Sequence, residues 1–354
     1  MGATERANAS LRALNSFGVQ AHAARLIELR DVADLPDLVV RLRDAPRAFV
    51  LGGGSNVLFT RDPPMPVLRI VVRGRTILAD DARGVLVEAG AGERWNDFVD
   101  WTLAHGLVGL ENLSLIPGTV GASPIQNIGA YGVEMRERFD SLDAVSLDDG
   151  TRRRFDAAEC RFGYRDSVFR HDEGRGWVIV GVRFRLAREA PLHLDYGEIR
   201  DELRARGLQR PGARDVAQAV CSIRRRKLPD PAVLGNAGSF FRNPIVDVSV
   251  ADALSAREPE MPRFAASSAE PGPNASTNVE RNAQRVKLSA AWLIERCGWK
   301  GHREGDAGVH ERHALVLVNH GLATGAQIAA LADRIAESVR SRFGIVLEPE
   351  PTIV

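Results

Sequence analysis

The stretch 109–135, GLENLSLIPGTVGASPIQNIGAYGVEM, constrains this chain more than any other. Pro117, Pro124 and its scattered glycines deny it the period of a helix or a strand. It nevertheless carries Leu110, Leu113, Leu115 and Ile116 before Pro117, and Val120, Ile125 and Ile128 after it. An irregular segment that long and that apolar has to be packed by the rest of the fold, which marks a functional loop rather than a disordered one.

Around it the pattern alternates between α and β. Residues 48–51, the loop GGGSN and 57–59 read as strand, turn, strand; 67–72 and 85–89 read as further strands, and 95–105 as a helix ended by Gly106. Strands follow at 141–147 and 177–186, with helices around 199–206 and 216–225. Between 255 and 285 the composition turns to Pro, Ser, Ala, Asn and Glu, which predicts an exposed, mobile insertion. Beyond it, Leu288, Trp292, Leu293 and Cys297 recur at helical spacing and 314–318 reads as a buried strand. Ile328, Leu331, Ile335, Val339 and Phe343 stripe a last helix that Gly344 ends, before a terminal strand at 345–347.

With 354 residues, the chain can bury a core without disulfide or metal staples. Its 47 Lys plus Arg against 46 Asp plus Glu leave a net charge of +1, so no global field holds a nucleic acid. Cys160, Cys221 and Cys297 are odd in number and form no CxxC, as suits reduced thiols in the cytoplasm. Neither a cationic-then-apolar leader nor an apolar run near the roughly 18 residues of a membrane span is present, so no membrane partner is expected. With no heptads and almost no net charge, a monomer is the default.

Several motifs carry chemistry. In GGGSN, the backbone of Gly52, Gly53 and Gly54 can approach a ligand closely and form an anion-binding nest, with Ser55 and Asn56 adding hydrogen bonds; a plain turn is the alternative. The dinucleotide fingerprint fails there, because Val57 stands where the third glycine belongs. Arg165, among aromatics, suits a carboxylate or a structural pair with an acid such as Asp166. Ser239 sits outside any GxSxG elbow, and a backbone-capping turn is its plain reading. His310 and His313 are one residue short of a zincin pair, so no metal site is expected. The cationic run 224–227 and Glu350 fit either a ligand cleft or a solvated face.

In chain order, LGGGSNVLF at 51–59, the segment 109–134, YRDSVF at 164–169, KLPDP at 227–231, GNAGSFFRNP at 235–244, KLSAAWLIERCGWKG at 287–301 and HALVLVNHG at 313–321 together resemble the UDP-N-acetylenolpyruvoylglucosamine reductase family. The Tyr196-Gly-Glu segment resembles the branch that folds a tyrosine loop over its substrate.

The resemblance implies an α/β fold: an FAD-binding unit of the vanillyl-alcohol-oxidase type in two subdomains, 1–74 with 345–354 and 75–228, and a substrate-binding domain at 229–344. It implies tightly bound FAD held by Gly52, Gly53, Gly54, Ser55, Asn56, Ile116, Pro117, Gly118, Ser123, Gly129 and Arg224. NADPH would be the hydride donor and an enolpyruvyl UDP-sugar the substrate, in the peptidoglycan pathway of a bacterial cytoplasm. Arg165, Ser239 and Glu350 would be catalytic, while Tyr131, Tyr164, Tyr196, Lys227, Asn243, Lys300 and His313 would meet the substrate; His313 stands where some members have glutamine. Another flavin oxidoreductase of the same fold, or a nucleotide-sugar-binding protein without catalysis, are the alternatives.

Overall fold

A computed structural model describes residues 3–43, 45, 47–265 and 285–354. The chain divides into two compact units, one of Met1–Ser10, His22–Gly54 and Pro63–Arg226, the other of Leu11–Ala21, Ser55–Asp62 and Lys227–Val354.

The first unit is built on two sheets. In one, Thr4–Ser10, His22–Leu29, Val67–Ile70 and Phe49–Leu51 lie in that order, the first pair antiparallel and the others parallel. The other runs Arg152–Asp156, Phe139–Ser146, Trp177–Leu186, Gly84–Gly90, Arg75–Asp81, antiparallel throughout. In Gly84–Gly90 the alternating Val85, Val87 and Ala89 are fully buried, the period-2 signal that made this strand readable. Arg75–Asp81 lacks that signal: it is an edge strand with no buried residue. The helix Trp95–Ala104 buries Trp95, Phe98, Val99 and Leu103, and the helix Ala213–Lys227 packs Val216, Val220 and Ile223 against Ile199 and Leu203 of Gly197–Ala205.

In the second unit, Gly235–Ser239, Val316–Asn319, Ala307–Val309 and Arg303–Glu304 form one sheet, and Ile245–Asp247, Arg285–Leu288 and Arg263–Ala265 another. The helix Gly325–Phe343 starts at a capping box between Thr324 and Gln327 and stops at Gly344, whose φ of 71° is the left-handed cap expected there.

Three expectations need correction. No strand forms at 345–347: Ile345 and Leu347 are buried with Val346 exposed between them, but the terminal strand is Thr352–Ile353, parallel to Val57–Leu58. Leu288 does not begin a helix; it ends the strand Arg285–Leu288, and Ser289 caps the helix Ala290–Arg296 that follows. The predicted insertion 255–285 is ordered at both margins, where 255–257 close the helix Val248–Arg257 and Arg263–Ala265 pairs with Arg285–Leu288; residues 266–284 lie outside the described residues. Among the described residues no helix is long and apolar enough to cross a membrane.

Candidate active site

In the first unit the glycine loop lies against the irregular segment. A Cβ on Gly52 would stand 2.8 Å from the Thr119 hydroxyl, and one on Gly53 would stand 3.0 Å from the Cα of Gly118. Only glycine allows that backbone approach. The irregular segment is a chain of short turns whose Leu113, Val120 and Ile128 are buried, so it is packed as its composition required. Ser123 is fully buried and donates its hydroxyl to the Val120 carbonyl at 2.7 Å, and Ile116 and Gly118 are half-buried beside an exposed Pro117.

Arg165 occupies a tight turn in which Gly163 and Asp166 exchange backbone hydrogen bonds, with φ of 55° at Arg165. Its Nη2 donates to the Gly129 carbonyl at 2.6 Å, and its guanidinium carbon lies 5.3 Å from the Tyr164 ring centroid. Asp166 is engaged with His171, Nε2 to Oδ2 at 2.8 Å. Gly129 carries a close approach too, since a Cβ there would lie 3.1 Å from Arg165 Nη1. Arg165 is thereby aimed by backbone.

Tyr131 meets Tyr196 edge to face, centroids 5.2 Å apart. Burial pushes the Tyr131 phenol up, opposed by Arg224, which hydrogen-bonds it. The same burial pushes Arg224 down from its usual range. Arg224 also donates Nε to the Leu115 carbonyl at 3.2 Å, so it leaves the cationic run and turns to the irregular segment.

In the second unit, Ser239 ends a strand that is bulged between Asn236 and Ser239 and pairs with Val316. Phe240 donates its N–H to Leu315 at 2.7 Å, Glu350 donates its own to the Phe240 carbonyl at 2.8 Å, and Phe241 bridges Pro349. Ser239 and Glu350 are therefore held on neighbouring backbone. Asn56 ties in the loop end, its Nδ2 donating to the Glu350 carbonyl at 3.2 Å. Asn243 accepts the Ala290 N–H at 3.0 Å, and Lys300 Nζ lies 2.9 Å from Glu295 Oε1. Burial, then Lys227, His310 and Lys300, push the His313 imidazole below its ordinary range, and its Nδ1 is buried without a partner.

Comparison with known proteins decides the family. A reductase from Pseudomonas aeruginosa named UDP-N-acetylenolpyruvoylglucosamine reductase is 53% identical over 345 residues, 97% of each chain. The chain belongs to the UDP-N-acetylenolpyruvoylglucosamine reductase family. A relative of that name from Chromobacterium violaceum is 51% identical over 99% of this chain and 98% of its own. The family profile for the C-terminal domain of UDP-N-acetylenolpyruvoylglucosamine reductase matches residues 230–354, and an FAD-binding-domain profile matches 23–156. The crystal structure of the Thermus caldophilus reductase superposes with a TM-score of 0.63 at 25% identity, covering 100% of this chain and 99% of that one. The α/β fold with an FAD-binding domain therefore stands for this member of the UDP-N-acetylenolpyruvoylglucosamine reductase family.

FAD fits the residues present. No turn hydrogen bond among the described residues uses the N–H of Gly53 or Gly54, and Gly54 has φ of 66°, so the loop offers donors at a point of close backbone approach.

Sequence reasoning did not find Asn112, Asn127, Trp95 or Asn96. Asn127 is fully buried at φ of 43° and spans Glu134 and Gly163; Asn112 donates to the carbonyls of Tyr131 and His193. A buried asparagine in a turn-rich segment is a signal in principle, but only the fold says which carbonyls it ties together.

Proposed function

We propose that Arg165, Ser239 and Glu350 carry the chemistry of this chain, an FAD-dependent oxidoreductase that reduces the enolpyruvyl group of UDP-N-acetylglucosamine enolpyruvate to UDP-N-acetylmuramate for peptidoglycan synthesis. FAD, held by Gly52–Asn56, residues 116–118, Ser123, Gly129 and Arg224, would supply the hydride chemistry that links NADPH to the terminal carbon of the enolpyruvyl double bond. The observation that carries the function is the 53% identity to a reductase of that name over 97% of both chains.

The roles follow from charge. Hydride arriving at the terminal carbon drives negative charge onto the substrate carboxylate, and a fixed planar cation lowers that barrier. Arg165, with one arm braced on the Gly129 carbonyl, is the residue we assign to it. The Ser239 hydroxyl gives a proton to the carbon bearing the carboxylate, and Glu350 stabilises the enol form. Their support is the Glu350–Phe240 hydrogen bond, which holds the acid beside the serine's neighbour. Lys227 and Lys300, both bearing on His313, suit the UDP diphosphate, with Asn243, Tyr131, Tyr164 and Tyr196 on the rest of the substrate. Gly52–Asn56, residues 116–118, Ser123, Gly129 and Arg224 hold FAD.

The division into 1–74 with 345–354, 75–228 and 229–344 is supported by the separate sheets before and after residue 74. We place the enzyme in the bacterial cytoplasm as a monomer, from its nucleotide-linked substrate, NADPH and three free cysteines; light scattering at the 38.6 kDa chain mass tests the monomer. Anaerobic stopped-flow tests the function: NADPH should bleach the oxidised flavin band, and the enolpyruvyl UDP-sugar should restore it. Bleaching without recovery would make the substrate wrong.

A further inference from the structure

Two adjacent residues at the start of the helix Trp95–Ala104 hold the segment 113–118 at three points. The Trp95 indole donates Nε1–H to the Leu113 carbonyl at 2.9 Å, Asn96 Oδ1 accepts the Leu115 N–H at 2.6 Å, and the Trp95 backbone N–H is donated to the Gly118 carbonyl at 3.0 Å. Between these points Leu115 adopts φ of 60°. A leucine is a poor occupant of the left-handed region, because its Cβ crowds its own backbone and it has no polar side chain to compensate. Something outside the residue has to hold it there.

Asn96 and Arg224 do so from opposite sides. Asn96 takes the Leu115 N–H, and Arg224 Nε donates to the Leu115 carbonyl at 3.2 Å. The Asn96 amide is itself oriented, since its Nδ2 donates to Asp100 Oδ2 at 2.9 Å, which turns Oδ1 toward Leu115. Trp95 supplies the rigid post: it is fully buried and packs edge-on against Phe98 and Phe184, with centroids 6.1 and 5.8 Å away.

We infer that Asn96 is a positioning residue for the cofactor: it clamps Leu115 in its left-handed conformation and so presents Ile116, Pro117 and Gly118 to FAD already shaped. The inference rests on the reading that those three residues line the cofactor. A segment shaped beforehand spends no binding energy on ordering itself, so loss of the clamp weakens FAD binding.

Titration of apoprotein with FAD, read by flavin fluorescence and by the position of the oxidised flavin band, tests it. Asn96→Ala should weaken FAD about tenfold, the factor for one hydrogen bond of about 1.4 kcal/mol, with the far-ultraviolet circular dichroism of the apoprotein unchanged. Glycine enters a positive φ without the steric penalty a leucine carries but is not fixed there, so adding Leu115→Gly to Asn96→Ala should recover part of the lost affinity, while Leu115→Gly alone changes it less than about threefold. A role of Asn96 in helix stability only would show no such rescue. Wild-type affinity in Asn96→Ala, or a loss that Leu115→Gly does not relieve, overturns the clamp. Gly118→Ala, at φ of 118°, separates the two readings. If it binds FAD as the wild type does, the segment does not line the cofactor and the inference falls with that reading. If it weakens FAD while Asn96→Ala does not, the clamp alone is wrong.

Discussion

Glu350 donates its backbone N–H to the carbonyl of Phe240 at 2.8 Å, one residue past Ser239. The pairing places the last acidic residue of the chain beside a serine from its middle. Because the backbone of Ser239 is what the sheet uses, its hydroxyl can be removed without disturbing the strand. Ser239→Ala should therefore leave reduction of the flavin by NADPH at the wild-type rate and slow reoxidation by the enolpyruvyl UDP-sugar by about 10²- to 10⁴-fold, the usual worth of a positioned proton donor. Stopped-flow separates the two half-reactions. Unchanged reoxidation would remove Ser239 from the proton step.

Arg165 is held by its Nη2 contact to Gly129 and by Tyr164. A lysine keeps the charge but has no fork to brace on the carbonyl and face a carboxylate at once. Arg165→Lys should lower the rate of the substrate half-reaction by about 10²-fold or more and leave NADPH-driven bleaching intact. A wild-type rate would assign Arg165 to the turn alone.

Gly53→Ala brings a Cβ to 3.0 Å from the Cα of Gly118, a backbone atom that cannot swing aside. The loops must separate, at a cost of about 1–3 kcal/mol. The purified variant should lose flavin on gel filtration where the wild type retains it. Full flavin occupancy with an unshifted spectrum would show that the two loops do not form the cofactor cradle.

His313 has its proton affinity lowered first by burial, then by Lys227, His310 and Lys300. The unfolded chain thus binds a proton more readily than the folded one, so stability rises with pH through the histidine range and is lost as pH falls from the ordinary value of 6.5 toward the lower folded one. His313→Gln deletes that dependence. The drop in thermal midpoint between about pH 8 and pH 5.5 should be smaller in the variant than in the parent, by about 2 °C or more. His310 and His320 are shifted in the same direction and remain in both proteins. Equal drops would mean that His313 takes its proton equally well folded and unfolded.

Much of this molecule is legible from residue order. Val85, Val87 and Ala89 alternate as a half-buried strand must, and Ile328, Leu331, Ile335, Val339 and Phe343 stripe a helix that Thr324 starts and Gly344 ends. Arg75–Asp81 was not legible, because an edge strand buries nothing and needs no apolar period. At 345–347 the alternation is real but misleading: Ile345 and Leu347 are buried without ladder pairing, and the paired strand begins only after Pro351. Leu288 carried the same ambiguity, since one apolar residue before a helix fits the end of a strand equally well.

The order of residues alone determined that 109–135 had to be a packed irregular segment and that GGGSN lay between two strands. Local rules suffice there, because glycine, proline and apolar spacing act on the backbone within a few residues. Tertiary structure decided the rest: that Gly53 faces Gly118, that Arg224 turns to Leu115 and Tyr131, that Glu350 pairs with Phe240, and that Asn96 holds Leu115 left-handed. Those are hydrogen bonds and close approaches between residues distant in the chain. Their partners are chosen by which buried polar groups the packed core leaves to be satisfied, and no local spacing encodes that.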